Sequence, residues 1–236
     1  MRAVGGSVVG VVLDVCELPM VGGHPALDLV NTLERGVPID DKPPHDFLTD
    51  TSALLRWSVL IGLIDEGEEA NRVRRLWRGD PALAQAGLAA VRDIREALHL
   101  VLLAAISIGD SAADGLAPND PIAARAALVG LHDRWAGAVA RAALVLDQSD
   151  PPRVRVTYGA VPGMLVPDRI AEAALDVLRA ADLTRVRRCP VSEGGCGWLF
   201  LDQSRNGSRR WCRMADCGNA VKARRLTERR RAARHG

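Results

Sequence analysis

The chain has 236 residues, 31 Lys plus Arg against 29 Asp plus Glu, and 48% hydrophobic residues, a balance that suits one globular domain with a smaller appendage and excludes a disordered or fibrous chain. Its longest uncharged apolar stretches, Val8 to Leu13 and Leu100 to Ile108, fall short of the ~20 residues that a membrane-spanning helix needs, so no membrane partner is expected. The net charge of +2 hides a division, because residues 185–236 hold 14 basic and 4 acidic side chains, a local +10, and the rest carries −8.

Residues 1–19 read as an N-terminal extension. Their single Arg and Gly-broken Val run lack the basic start and long apolar centre of an export signal, so a cytoplasmic location is expected. Residues 20–184 read as a helical domain. Gly22-Gly23-His24-Pro25 gives a turn, after which Ala26, Leu27, Leu29, Val30 and Leu33 follow helical spacing. Gly36 to Pro44 is a Pro-rich connection. Thr49, Asp50 or Thr51 then caps a helix with Leu54, Trp57, Leu60 and Ile61 on its apolar face and Gly62 near its end. Glu66 to Arg78 predicts a more exposed helix that buries Val73, Leu76 and Trp77.

The longest helix follows Pro81, with Leu83, Val91, Ile94, Leu98, Val101, Leu102 and Ala105 at three- and four-residue steps and Gly109 at its end. Beyond a loop bearing Gly115, Pro118 and Pro121, the stretch Ile122 to Leu146 restores a helical pattern around Leu128, Leu131, Trp135 and Val139. Two long helices in succession predict an antiparallel pair. Asp150-Pro151-Pro152 breaks the run. Val154, Val156 and Tyr158 alternate with Arg155 and Thr157 as a half-exposed strand does, and Met164 to Val166 is expected as its hairpin partner. Pro167 and Asp168 then open a helix with Ile170, Ala174, Leu175 and Leu178 inward.

Cys16 stands alone, with no cationic neighbour to activate it, while Cys189, Cys196, Cys212 and Cys217 fall within 29 residues. These four form two close pairs separated by a connector of the length typical of four-thiolate zinc modules. Gly194 and Gly195 before Cys196 allow the tight turn that a thiolate knuckle needs. Two disulfides would demand an oxidising compartment, and the spacing departs from common ferredoxin patterns. Zinc is the expected metal, and a shell of four Cys makes it structural because no coordination position stays open.

Between the Cys pairs, Trp198, Leu199, Phe200 and Leu201 supply a small core, and Trp198 and Trp211 are expected to pack it. The segment Ser204 to Trp211 is a turn rich in the donors that contact phosphates. After Gly218 and Asn219, expected to turn and cap, comes a basic helix from Val221 to about Arg234 whose apolar stripe of Ala223, Leu226 and Ala233 is thin enough to fray in solution. The expected nucleic-acid contacts are Arg205, Asn206, Arg209 and Arg210 from the turn and Asn219, Lys222, Arg224, Arg225, Arg229 and Arg230 from the helix. Four to six phosphate contacts predict a log–log salt slope of about −4 to −5. The fold class read from the sequence is thus mainly α: a helical N-terminal domain with a minor β-hairpin over 20–184, then a small four-Cys zinc-binding module with a basic C-terminal helix over 185–236.

The run from Cys196-Gly197-Trp198-Leu199-Phe200-Leu201-Asp202 through Arg210-Trp211-Cys212 to Asp216-Cys217-Gly218-Asn219 resembles the CGNR zinc finger of bacterial proteins. Gly22 to Thr32, together with Leu54-Leu55-Arg56-Trp57 and Gly62-Leu63-Ile64, resembles the ABATE domain that precedes that finger. The resemblance spans roughly 20–225 and implies a mainly helical N-terminal domain and a stress-linked transcription regulator. One position departs from the pattern: the last residue of the Cys-Gly-Asn-Arg signature is Ala220, which removes a fork able to reach a phosphate or base edge.

In the body, His24, Asp28 and Asn31 read either as the lining of a small-molecule effector pocket or as a cap and buried hydrogen-bond network. Trp57, Trp77 and Trp135 read as core. The chain has no phosphate loop, dinucleotide fingerprint, nucleophile elbow or HExxH motif, so an enzyme is not expected. The expected function is zinc-dependent DNA binding by a transcription regulator whose body senses an effector or forms a homodimer. The alternative is a zinc-containing adaptor for protein or RNA.

Overall fold

The computed structural model describes residues 14–35, 45–107, 120–147 and 151–235. The Val run of the extension, the Gly36–Pro44 connection, Gly109 and most of the following loop lie outside them. Short polar side chains and prolines start the helices of the body. His24 accepts from the Ala26 amide and Pro25 occupies the first turn of α1 (Pro25–Val30). Asp50 accepts from the Ala53 amide at 2.8 Å to start α2 (Thr51–Leu60). α3 (Glu68–Gly79) is followed by α4 (Pro81–Ser107), and Asp120 with Pro121 opens α5 (Pro121–Ala140).

α4 is the axis of the body. It packs against α1, α2, α3, α5 and α6 (Leu165–Ala180). Leu88, Val91, Ile94, Leu98 and Leu102 are buried along it at the spacing read from the sequence. Trp57, Leu27, Leu29, Leu54 and Ile170 are also among the largest fully buried side chains. Two arginines are paired inside or beside this core. Arg95, 3% exposed, grips both oxygens of Asp46 at 2.7 and 2.8 Å and donates to Thr32 at 3.1 Å. Arg141 holds the buried Asp168 through Nε at 3.0 Å and through Nη2. Such pairs lock helices together, and losing one partner leaves a charge uncompensated.

The structure corrects several expectations. α5 stops at Ala140, and Ala143–Asp147 is a strand, β1, rather than the last turn of that helix. β1 pairs antiparallel with β2 (Arg153–Thr157), Leu144 opposite Val156 and Leu146 opposite Val154. The hairpin partner thus comes from upstream. Met164 to Val166 instead belongs to a 3-10 turn (Pro162–Met164) and the start of α6, where Leu165 and Val166 are buried. α1 ends at Val30, so Leu33 falls outside it and bridges Asp46. Leu60, Leu76, Leu128 and Val139, all expected on buried faces, are 48%, 38%, 47% and 43% exposed. The apolar stripes they extend are wider than the surfaces that cover them. Trp135 is half-buried, with its Nε1 donating to Glu172 at 2.8 Å. Cys16 is exposed, and its thiol is raised by desolvation and by Asp14 beside it, with Arg56 opposing the shift.

A second hairpin, β3 (Val186–Arg188) with β4 (Leu199–Leu201), carries the cysteine-rich segment, and basic α7 (Asn219–His235) closes the described chain. Val186 and Leu199 are buried in the same hydrophobic core as the helical body. The Cys-rich segment is therefore docked on the body by its own strands. No helix among the described residues is long and apolar enough to cross a membrane.

Candidate metal centre and basic face

The four cysteines are brought together by a hairpin, a knuckle and a helix start. β3 delivers Cys189, whose amide donates to the Trp198 carbonyl at 2.9 Å as a continuation of the ladder. The chain then turns through Gly194, which is left-handed (φ 90°), and the Gly195 amide donates to the Pro190 carbonyl at 2.8 Å. A Cβ on Gly195 would lie 2.7 Å from Cys189 Sγ and from that carbonyl oxygen, so only glycine fits there. Cys196 leaves the knuckle. Cys212 and Cys217 come from beyond β4, with Cys217 in a π-helical turn (Met214–Gly218) that runs straight into α7. Gly218 is closely overlaid by Met214 and Trp211, and Asn219 already has helical dihedrals. The expected turn and cap at those residues is replaced by this continuous entry, which ties the basic helix to the cysteine cluster.

All four Sγ atoms lie within 4.8 Å of one another, with Cys196 to Cys212 at 3.3 Å and Cys212 to Cys217 at 3.6 Å. Tetrahedral zinc with bonds of ~2.3 Å separates its thiolates by about 3.8 Å, so the cluster has the size this ion requires. The electrostatics agree. Hydrogen bonds among the thiols hold Cys189 and Cys217 down, whereas Cys196 and Cys212 are pushed up by their neighbours. With zinc, all four serve as thiolates and no position stays open for a substrate.

Around the cluster, several polar side chains are spent internally. Asp202 is fully buried. Burial alone would raise its carboxyl, but Ser204 and the Arg209 amide, aided by Arg185, hold it below the usual range. Arg209 stacks over Phe200 at 4.5 Å and donates to the carbonyls of Trp211 (3.1 Å), Cys212 and Val21 (3.4 Å). Half-buried, its guanidinium is engaged within the structure and is not left free for the phosphate contact that the sequence suggests. Glu193 receives Arg210 on one oxygen and Arg225 on the other at 2.7 Å. Arg224 lies against Gly194, where an added Cβ would clash with its guanidinium.

Arg205 and the remaining basic side chains of α7 up to Arg231 are exposed. Val221, 2% exposed, marks the inward side of α7. At 3.6 residues per turn, Arg230 then lies opposite it, with Lys222 and Arg229 on one flank and Ala220 and Arg231 on the other. These residues and Arg205 engage no carboxylate in an ion pair among the described residues. Arg205 and Asn206 sit exposed at the tip of the turn that Gly207 (φ 59°) closes, and Asn219 is exposed in the first turn of α7.

Two of the three residues read as a ligand pocket instead brace the module. Asn31, 1% exposed, donates to the Leu199 carbonyl and accepts from its amide, both at 2.8 Å, as a strand backbone would. Asp28 accepts from the Gly22 amide at 2.8 Å, and the Gly22 carbonyl accepts from the Leu201 amide at 2.8 Å. His24 caps α1 and reaches Asp176 at 3.3 Å. It lines an open depression of ≈ 440 Å³ with Tyr158, Arg169, Glu172 and Asp176. There the polar groups answer one another: Tyr158 donates to Glu172 at 2.9 Å, and Arg169 donates to Glu69. The sequence reading missed Arg95, Asp46 and Glu193, whose partners are distant along the chain and leave no local pattern.

With this geometry in hand, comparison with known families is decisive. The family model described as "Putative stress-induced transcription regulator" (ABATE) matches residues 23–181, and that of the CGNR zinc finger matches residues 185–230. The chain belongs to the ABATE family. No curated protein matches it. In this ABATE protein the CGNR finger supplies Cys189, Cys196, Cys212 and Cys217, and zinc is the metal they are placed to hold. The ABATE match ends just before the β3–β4 hairpin that docks the finger on the body.

Proposed function

We propose that this ABATE protein is a non-enzymatic, zinc-dependent DNA-binding transcription regulator that acts in the cytoplasm. Its CGNR finger contacts phosphates through Lys222, Arg229 and Arg230 on the outer face of α7 and through Arg205 and Asn206 at the turn tip. The observation that carries this reading is the sorting of basic side chains. Arg209 is consumed inside the finger and Arg210 and Arg225 are held by Glu193, while an outward row of cations remains on a helix anchored at a zinc ligand. Phosphate contacts position a protein on the duplex, and base contacts specify sequence. The exposed Ala220 offers no hydrogen bond to a base edge, so discrimination by hydrogen bonding falls to Asn206 and Asn219. The body, with its separate negative charge, is assigned the regulatory input, either an effector or a second copy.

The test compares the intact chain with Cys212→Ser for zinc content and DNA binding across a salt series. The expected result is about one zinc per chain and metal-dependent binding that weakens steeply with salt. Intact protein that carries zinc but has no DNA affinity at low salt contradicts the reading and favours the adaptor role.

A further inference from the structure

The β1–β2 hairpin stands apart from the rest of the body. Among the described residues each strand packs principally on the other, and both are exposed along nearly their whole length. The register places Leu144, Leu146, Val154 and Val156 on one face, at 74%, 66%, 64% and 52% exposure. An isolated two-stranded hairpin is at best marginally stable in water and needs further strands or a packed face. This face has neither.

We propose that the apolar face of this hairpin is a homodimer contact in which it packs on the same face of a second copy. Two features select a second copy as the occupant. The first is charge. Asp147 and Arg155 lie on the opposite face and pair with each other at 3.0 Å, so the apolar face carries no charge. A two-fold contact sets a patch against itself, which a neutral apolar face tolerates and a charged one does not. The second is size. The four side chains together present roughly 400 Å² of apolar surface, within the range of the largest patch on a typical monomer, and a contiguous patch of that size marks an interaction site. Such a pair carries two fingers, so the proposal names one of the two inputs assigned to the body, yet the contact itself needs no DNA.

The test uses the full, zinc-loaded chain without DNA and measures mass by light scattering over a micromolar concentration range. The wild type is expected at twice the chain mass. Leu146→Glu and Leu146→Lys, at a position already exposed, are each expected at the single mass with unchanged circular dichroism and zinc content. A wild type of single mass overturns the proposal and indicates that the chain's own residues 108–119, or nothing, cover the face. Variants that keep the double mass overturn it by placing the contact elsewhere. Failure of DNA binding in the experiment on the finger leaves these masses unaffected.

Discussion

The helical body buries Trp57, Leu27, Leu54, Ile94, Leu98 and Ile170 in one continuous core, whereas the finger's own core consists of Cys189, Phe200 and Cys212 with half-buried Trp198 and Trp211 around them. The body is held by apolar area. In the finger, glycines that admit close approach, the buried Asp202 carboxylate, the guanidinium of Arg209 and four thiolates do the same work. Small modules with little to bury depend on metal for folding free energy. The two regions are nevertheless joined, since Val186 and Leu199 belong to the body's core and Asn31 completes the edge of β4.

That contrast can be broken at graded points. The largest effect is expected from removing the metal by chelation or Cys212→Ser. Hydrogen exchange should then show loss of protection in β4 and α7 while α4 stays protected. Equal loss in both regions would erase the distinction between them. Next is Arg95→Met, which removes the two-pronged partner of Asp46 and leaves it only Arg92, at 3.8 Å, as a cation; it should cost the body about 3 kcal/mol in denaturant unfolding, with zinc content unchanged. Burial would raise the Asp46 carboxyl, but hydrogen bonds and charge from Arg95 hold it below its ordinary value of 3.8. Its stabilising contribution is therefore complete above that value and is lost as pH falls through the lower, folded one. The acid limb of the wild-type stability curve should flatten in the variant.

Asn31→Ala tests the joint between the regions. Leaving the Leu199 amide and carbonyl without partners is expected to cost about 1–3 kcal/mol and to speed exchange at Leu199. No change there would mean that the finger is carried by its own contacts alone. The smallest effect is expected from Ala220→Arg, which restores the last residue of the signature at an exposed position in the first turn of α7. It should leave stability within about 0.5 kcal/mol and steepen the salt slope of DNA binding by about one.

Much of this was legible in the sequence because it is periodic or punctuated. The α4 face repeats at three and four residues over 27 positions, Asp50 precedes α2 as a cap, and the cysteines sit at ligand spacing with glycines where the knuckle turns. The failures share a cause. Leu144 and Leu146 suit a helix as well as a strand, and only pairing with β2 decides between them. Asp28 and Asn31 look alike as pocket lining or brace until β4 arrives from more than 160 positions downstream. Arg209 and Arg229 are indistinguishable as letters, but Phe200 and three carbonyls claim one of them. Local sequence records propensity, and which polar groups are consumed is settled by partners distant along the chain.

The most direct test of the account is the log–log salt slope of DNA binding for the zinc-loaded chain and for the Lys222→Ala/Arg229→Ala double variant. If the outer face of α7 meets phosphates, the slope falls in magnitude by about two while zinc content and stability are retained. An unchanged slope with equal affinity would contradict the assignment of that face to DNA.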